Sequence, residues 1–394
     1  MLSGQNIVCF SPDLSWNHLW RNRHQIMTRL ARQNKILFIE PTPYLRPVIQ
    51  QTKQAGMKTL LHSTFYQPMP NLWVYRSANA WPISGKSPLS DITFALRKRQ
   101  LRRTLARLDM TQPILWIFRY DLGEMIGHLD EKLVIYHAVD EYSAYALTDD
   151  KNARAHRQRI REIEQDILRR ADLVFVTSTT LLKNKRPYNA NTYFIPNGVD
   201  YEHFATRPEE FPPDVADIPH PRIGYVGSIN EKIDLNLLEA IARQQPDWHL
   251  LMVGPVLLKQ PDAIAPLRAL PNCHFLGRKQ VSELPAYMHA CDVCLMPYAH
   301  NDWTENINPL KLYEYLATGR PIVATDIPAV QDFREVLYIE DNEDAFIQAV
   351  AQALTESTPA AIARRQRLAR QNTWEQRVET LSSIINGALD RPKD

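Results

Sequence analysis

Glycine is scarce in this chain, at 12 of 394 residues, and cysteine scarcer still, at four. No apolar run approaches the roughly 18 residues that a membrane-crossing helix needs, so none is expected. The cysteines are Cys9, Cys273, Cys291 and Cys294. Cys291 and Cys294 have Cys-x-x-Cys spacing, but no second pair and no histidine cluster completes a zinc site. They lie in Ala290-Cys-Asp-Val-Cys-Leu-Met296, which reads as a helix end followed by a buried strand. All four are expected to be reduced thiols of a cytoplasmic protein. The N-terminus runs directly into the strand pattern Asn6-Ile-Val-Cys-Phe10 with no basic-then-apolar leader, so no signal peptide is expected. Internal repeats and low-complexity segments are also absent.

Because glycine is rare, its positions carry information. Gly198, Gly224, Gly227, Gly254, Gly277 and Gly319 fall in the middle of the chain, mostly where a short apolar run hands over to a loop. Charge is unevenly spread. Residues 1–200 hold 28 Lys and Arg against 17 Asp and Glu, and residues 201–394 hold 18 against 27. The first 108 residues alone hold 16 against 3. A basic half joined to an acidic half suggests that the basic one meets something anionic: phosphate-bearing lipid, a membrane surface or nucleic acid.

Apolar strand runs alternate with helical patterns, which predicts parallel sheets covered on both faces. Strands are expected at 6–10, 35–40, 72–75, 114–118, 133–136, 173–177 and 193–196, with helices at 17–33, 90–108 and 151–170. Residues 41–90 are otherwise Pro-rich and irregular. Near 200 the pattern restarts. Strands are expected at 223–226, 249–253, 274–276, 293–296 and 321–324, with helices at 231–244, 281–290, 309–318, 343–354 and 374–389. Thr373 is a plausible N-cap for the last helix. The segment 201–221, rich in Pro and acidic residues, reads as the linker.

The most informative stretch is Asn306-Ile-Asn-Pro-Leu-Lys-Leu-Tyr-Glu-Tyr-Leu-Ala-Thr-Gly-Arg-Pro-Ile-Val-Ala-Thr325. Pro309 can open a helix, since its missing N–H would be unpaired there anyway. Leu312, Tyr315 and Leu316 share a face, and Gly319 can end the helix in a left-handed cap. The start of a helix offers unpaired N–H groups and partial positive charge, which suit phosphate. Lys311 adds a full charge, and Glu314 can accept hydrogen bonds from a pair of hydroxyls. Phosphate donors beside a hydroxyl acceptor describe a nucleotide-sugar site.

This stretch resembles the C-terminal domain of GT-B glycosyltransferases, in particular family-4-type enzymes and their relatives in polysaccharide synthesis. Those carry two glutamates eight positions apart. Glu314 matches the second, which in the family holds the nucleotide ribose. The first would fall at Asn306, with Glu305 one residue off the spacing. A related subgroup with Pro-x-Lys-x-x-Glu-Tyr-Leu-Ala-x-Gly is matched by Pro309, Lys311, Glu314, Tyr315, Leu316, Ala317 and Gly319. The resemblance implies an α/β protein of GT-B type, with two Rossmann-like, doubly wound parallel-sheet domains facing an interdomain cleft. It implies an acceptor-side domain over 1–205, a nucleotide-sugar domain over 206–370, and a C-terminal helix in 371–394 that crosses back to the first domain. Pro196-Asn-Gly-Val-Asp200, followed by Phe204, looks like the family's mark at the end of the first domain.

Other constellations extend the candidate site. Gly227 and Ser228 follow the first strand of the second unit, where open α/β sheets bind ligands. Gly227 lets backbone N–H groups approach phosphate, Ser228 adds a hydroxyl, and Lys232 is placed to pair with a diphosphate. Arg278, in Gly277-Arg-Lys279, could stack on a base or pair with phosphate, or be solvated. In the first half, His137 and Asp140 follow a strand, and either could serve as a base. A lone His often only satisfies a local bond. In the loop Ser11-Pro-Asp-Leu-Ser-Trp-Asn-His18 and beyond it, Trp16, Arg21 and Arg23 resemble an acceptor-side loop, although Trp16 and Trp20 could equally be core. Residues 96–108 place Leu101, Leu105 and Leu108 on one face under a basic rim. That helix could meet an anionic membrane surface.

The expected function is glycosyl transfer from a nucleotide sugar to a glycan or lipid-linked acceptor in cell-surface polysaccharide synthesis. Retention of configuration without a metal is what the family likeness implies. No Asp-x-Asp motif stands in a suitable setting, and neither metal nor cofactor is expected. The site would be cytoplasmic, on a protein that could lie on the inner face of the plasma membrane. An epimerase of the same fold and a non-catalytic binder of anionic ligands are the alternatives. A nucleic-acid partner is not expected, because the aromatic and basic interleaving of an RNA-binding sheet is missing.

Overall fold

The computed structural model describes residues 1–12, 15–17, 20–42, 63–79, 89–145, 150–356 and 358–391. Asp13, Leu14 and His18 of the early loop, and much of the Pro-rich stretch 41–90, lie outside the described residues. The chain divides into two compact units, Met1–Ile195 with Val378–Asp394, and Pro196–Arg377. The first division falls at 195/196 rather than 205/206, for a physical reason. Asn197 donates its backbone N–H to Asn308 Oδ1 at 2.9 Å, Val199 donates to the Asn372 carbonyl at 3.0 Å, and Tyr201 and Phe204 are buried in the core of the second unit. The last division falls within the helix Trp374–Leu389 rather than at 370/371. Thr373 caps that helix, its hydroxyl accepting from the Gln376 N–H at 3.4 Å while Gln376 Oε1 accepts from the Thr373 N–H at 3.3 Å.

In the first unit, β1 (Asn6–Phe10), β2 (Lys35–Ile39), β3 (Thr64–Met69), β4 (Leu72–Arg76), β5 (Ile114–Ile117), β6 (Leu133–Ala138), β7 (Leu173–Val176) and β8 (Thr192–Phe194) form one sheet. Its order is β3-β4-β2-β1-β5-β6-β7-β8. Every pair is parallel except β3/β4. The apolar runs β5, β6 and β7 are buried from end to end, as strands covered on both faces must be. β3 escapes the sequence pattern because it is an edge strand. Its Thr-Phe-Tyr-Gln-Pro-Met is mostly exposed, and Pro68 sits where the register slips.

In the second unit, β9 (Arg222–Val226), β10 (His249–Val253), β11 (Cys273–Gly277), β12 (Val293–Met296), β13 (Ile322–Ala324) and β14 (Tyr338–Ile339) form a parallel sheet ordered β11-β10-β9-β12-β13-β14. The chain builds outward in one direction from β9, then restarts beside it at β12. A doubly wound sheet of this kind leaves a crevice at the carboxyl ends of the strands flanking the reversal. The helix Leu235–Gln244 starts later than its pattern, at Asp234, whose carboxylate accepts from the Leu237 N–H at 3.0 Å. A helix at Pro359–Arg370 was not expected, since its sequence is rich in Arg. Arg365 of that helix is buried, donating to Glu356 Oε2 at 2.6 Å and to the Gly319 carbonyl at 3.3 Å. Among the described residues, no helix is long and apolar enough to cross a membrane.

Candidate donor site in the second unit

The helix Leu310–Thr318 begins after Pro309, which serves as its N-cap in extended conformation rather than as its first helical residue. Gly319 ends it in the left-handed region, at φ 75°. Leu312, Tyr315 and Leu316 are fully buried, so the apolar stripe anchors the helix. Tyr315 also accepts a 2.8 Å hydrogen bond from the Val226 N–H, which ties the helix to the end of β9. The opening turn is thereby held at the carboxyl end of that strand.

Gly227, just past β9, has φ +149°, and Gly254, just past β10, has φ +143°. A Cβ on Gly227 would lie 2.7 Å from Lys311 Nζ, and one on Gly254 would lie 2.1 Å from the Gly227 carbonyl oxygen. The loop is therefore bare backbone beside an ammonium, a surface that phosphate oxygens can approach closely. Lys311 Nζ donates to the Tyr225 hydroxyl at 2.6 Å and stands 3.9 Å from that ring centre and 5.4 Å from that of Tyr298. The Tyr225 hydroxyl in turn donates to the Ser228 carbonyl at 2.9 Å. The Ser228 hydroxyl itself has no hydrogen-bond partner among the described residues. Lys232 Nζ lies 4.7 Å from the Trp303 ring centre.

Burial, together with the repulsion of Lys232, pulls Lys311 well below the usual lysine range, and Glu314 offsets this in part. Glu314, one turn on, is pushed up to about 7 by burial, with Lys311 opposing the rise. Its carboxylate accepts no hydrogen bond from any described residue. Two ammoniums that repel each other, beside a carboxylate awaiting donors, form an unfinished electrostatic arrangement. A diphosphate and a diol would complete it.

Not every residue expected here joins the cluster. The Asn306 amide folds onto its own turn, with Nδ2 donating to the Asp302 carbonyl at 2.7 Å and Oδ1 buried without a partner. Glu305 and Arg278 are exposed, and among the described residues no hydrogen bond or ion pair ties Arg278 to the loop of Gly227. Tyr225, Tyr298 and Trp303 went unnoticed in the sequence. Tyr225 reads there as one more apolar residue of a buried strand, and nothing local announces that its hydroxyl meets Lys311.

In the first unit, the expected reactive residues lie near one another, but they differ in burial and in what they contact. His137 is buried in the core rather than presented to a substrate. It sits among Trp116, Phe118 and Phe175, and its Nδ1 accepts from Trp116 Nε1 at 3.4 Å. Burial, with the Arg23 charge nearby, pulls it down to about 3. A neutral imidazole sealed under aromatic rings makes a poor base, which corrects that expectation. Asp140 stays partly exposed, accepting from the Tyr145 hydroxyl at 2.7 Å. Trp16 is core, 5.4 Å from Trp20 and 4.9 Å from Phe38 between ring centres. Arg21 is exposed at the start of the helix Asn22–Leu30, and Arg23 is buried within it.

Comparison with known proteins finds a family match within the second unit and a fold likeness over the whole chain. Residues 220–356 match the family described as glycosyl transferases group 1. TuaH of Bacillus subtilis (strain 168), provisionally named a teichuronic acid biosynthesis glycosyltransferase, is 30% identical over 230 residues. That match covers 55% of this chain and only 57% of the relative. The sucrose-phosphate synthase of Thermosynechococcus elongatus superposes with a TM-score of 0.71 at 16% identity, covering 97% of this chain and 98% of that one. HepE of Anabaena, solved with UDP and glucose, gives 0.67 at 13% identity, covering 97% and 99%. The chain therefore has the GT-B fold, and its residues 220–356 match the glycosyl transferases group 1 family.

Proposed function

We propose that the protein transfers a sugar from a nucleotide-sugar donor to a glycan or lipid-linked acceptor, in the assembly of a cell-surface polysaccharide. The observation that carries this is the convergence of Gly227, Lys311 and Glu314 at the carboxyl end of β9. Lys311, Lys232 and the backbone N–H groups at Gly227 and at the start of the helix bind the diphosphate, the Ser228 hydroxyl supports it, and Glu314 accepts the ribose hydroxyls. These cationic and N–H groups are fixed before the reaction begins, so they stabilise the negative charge that develops on the leaving diphosphate. Cleavage then needs no base at His137, and transfer with retention of configuration fits. Of the residues expected on the acceptor side or as a base, exposed Arg21 and partly exposed Asp140 are the ones that could meet an acceptor. TuaH's name motivates the choice of polysaccharide synthesis, and the UDP held by HepE makes UDP the first nucleotide to try.

The test is direct. The protein is incubated with a panel of nucleotide sugars, and nucleoside diphosphate release is followed with and without glycan acceptors. Release with one donor, and an axial or equatorial anomeric signal matching that donor's, supports the reading. If no donor binds and none is cleaved, the reading is wrong.

A membrane location is the finer part of the same proposal. Leu101 and Leu105 of the helix Leu89–Arg107 pack into the core, while Arg99, Arg102, Arg103 and Arg107 are exposed. That face suits anionic headgroups. Sedimentation with phosphatidylglycerol vesicles but not with phosphatidylcholine vesicles is expected, and equal sedimentation with both would remove this part.

A further inference from the structure

Pro196-Asn-Gly-Val-Asp200 opens the second unit and is bonded to the residue just ahead of Pro309. Asn197 and Asn308 are 111 positions apart in the chain and meet through two hydrogen bonds. The Asn197 backbone N–H donates to Asn308 Oδ1 at 2.9 Å, and Asn197 Nδ2 donates to the Asn308 carbonyl at 2.6 Å. Asn308 Nδ2 in turn donates to the Tyr313 hydroxyl at 3.1 Å. Tyr313 belongs to the helix Leu310–Thr318 and is buried, 5.8 Å from Phe333 between ring centres. Asn308 is thus held from both sides, by the segment that enters the unit and by the helix that follows it.

The Asn197 end is anchored as well. Its carbonyl accepts from Arg377 Nε at 3.1 Å. Val199 donates to the Asn372 carbonyl at 3.0 Å, and its own carbonyl accepts from the Trp374 N–H at 3.2 Å. A Cβ on Gly198 would lie 3.0 Å from backbone atoms of Thr373 and of Trp374, so these two passages of chain pack backbone to backbone. The loop before the donor helix is therefore fixed to a frame outside itself.

The first N–H groups of a helix have no partner within it. Here those of Leu310 and Lys311 meet no acceptor among the described residues. Their direction is set by the backbone at Asn308 and Pro309. Asn197 is 8% exposed, and its Oδ1 is buried without a partner, which costs stability. The amide thus fixes direction at the expense of strength.

We propose that Asn197 and Asn308 are positioning residues of the donor site, which together aim the start of the helix, with its Leu310 and Lys311 N–H groups, at the diphosphate. This rests on the donor reading above, and the role requires neither side chain to touch the nucleotide. Groups held in place before binding lose less on binding, so loosening the clamp weakens phosphate recognition in particular.

The experiment uses the full chain. UDP binding is measured by calorimetry, and binding of uridine, which lacks the diphosphate, by saturation-transfer NMR. Asn308→Ala is expected to weaken UDP about three- to tenfold, the worth of one hydrogen bond, and to leave uridine unchanged. Asn197→Ala keeps the backbone bond to Oδ1 and loses only the one from Nδ2, so a smaller loss in the same direction is expected. The double variant should lose less than the product of the two single losses, because both act on one clamp. Denaturant unfolding checks that each variant is folded. If Asn308→Ala does not fold, Asn197→Ala and Tyr313→Phe, which frees Asn308 Nδ2, carry the test with the same expected selectivity for UDP over uridine. Equal weakening of UDP and uridine would reduce the pair to general support and overturn the proposal. Losses that multiply in full would do the same, since the two residues would then act separately. UDP affinity unchanged in every folded variant sinks this proposal alone. If the unaltered protein binds no UDP, the donor reading falls and the proposal falls with it.

Discussion

The ammonium of Lys311 donates a 2.6 Å hydrogen bond to the hydroxyl of Tyr225, and no described carboxylate lies within ion-pair distance of it. The same hydroxyl donates to the Ser228 carbonyl at 2.9 Å, so a phenol rather than an acid fixes the charge beside Gly227. An acid there would neutralise Lys311 before a diphosphate arrived. A phenol orients the ammonium and leaves its charge available. Lys311→Met is therefore expected to weaken UDP binding by about tenfold or more, as for loss of a charge-assisted bond. Tyr225→Phe keeps the charge and removes the anchor, so a loss of only a few-fold is expected. Calorimetric titration with UDP checks both. Unaltered affinity in Lys311→Met would place the diphosphate elsewhere.

Two glycines in the same loop should respond differently to alanine. At Gly227 the new Cβ would meet the end of a flexible side chain, Lys311 Nζ at 2.7 Å. At Gly254 it would meet backbone, the Gly227 carbonyl at 2.1 Å. Both positions also have positive φ, which costs an L-residue on the order of 1–3 kcal/mol. Gly227→Ala is expected to fold with modestly lower stability and to lose UDP affinity as Lys311 is displaced. Gly254→Ala is expected to lose substantially more stability. Chemical denaturation followed beside UDP titration separates the two effects, and equal stability losses would contradict the geometry.

Glu314 gives the donor site a pH dependence whose sign can be worked out. Its carboxyl is raised from 4.5 to about 7 by burial. A raised acid contributes its stability below 4.5 and loses it as pH climbs through about 7, so the protein without donor should become less stable over that window. On the proposed reading donor binding runs the other way, because ribose hydroxyls would donate to the ionised form. UDP affinity should rise as pH approaches and passes 7. It should fall again at higher pH, below the usual lysine range, as Lys311 loses its proton. Glu314→Gln should flatten the acidic limb, and Glu314→Ala should cost at least about tenfold in affinity. An acidic limb that persists in Glu314→Gln would assign it to another group.

Much of this was readable in the chain. The alternation of apolar runs with helical patterns is long and regular, so parallel sheets in two units follow from it directly. Pro309, Lys311, Glu314 and Gly319 announce a helix start, its charges and its end within one short stretch. What was hidden depends on contacts between distant segments. Tyr225 meets Lys311 across 86 positions of chain, with nothing local to mark it. β3 was missed because an edge strand need not be apolar, and the helix Pro359–Arg370 because its buried anchor is an arginine. His137 failed in the opposite direction. A histidine ending a strand suggests chemistry, yet Trp116, Phe118 and Phe175 reach it from other strands and loops and seal it. Position along a strand was legible, whereas what covers it was not.

The last prediction concerns a charged cluster with no part in the donor site. Lys185, 5% exposed, donates to Glu141 Oε2 and to Glu164 Oε2, both at 2.6 Å. Tyr136 donates to the other oxygen of Glu164 at 2.7 Å, and Ser143 to the other oxygen of Glu141 at 2.7 Å. Burial alone would lower Lys185, but attraction by Glu164 and Glu141 outweighs it and leaves the ammonium above its usual range. Every member is satisfied, so breaking one contact strands the others. Lys185→Met leaves two carboxylates buried side by side without a cation, and a loss of about 3–5 kcal/mol is expected. Combining it with Glu141→Gln and Glu164→Gln removes the stranded charges and should recover part of that loss. Denaturant unfolding with hydrogen exchange at the β6 and β7 amides gives a local readout. If Lys185→Met costs no more than about 1 kcal/mol, as at an exposed pair, the cluster is open to water rather than sealed.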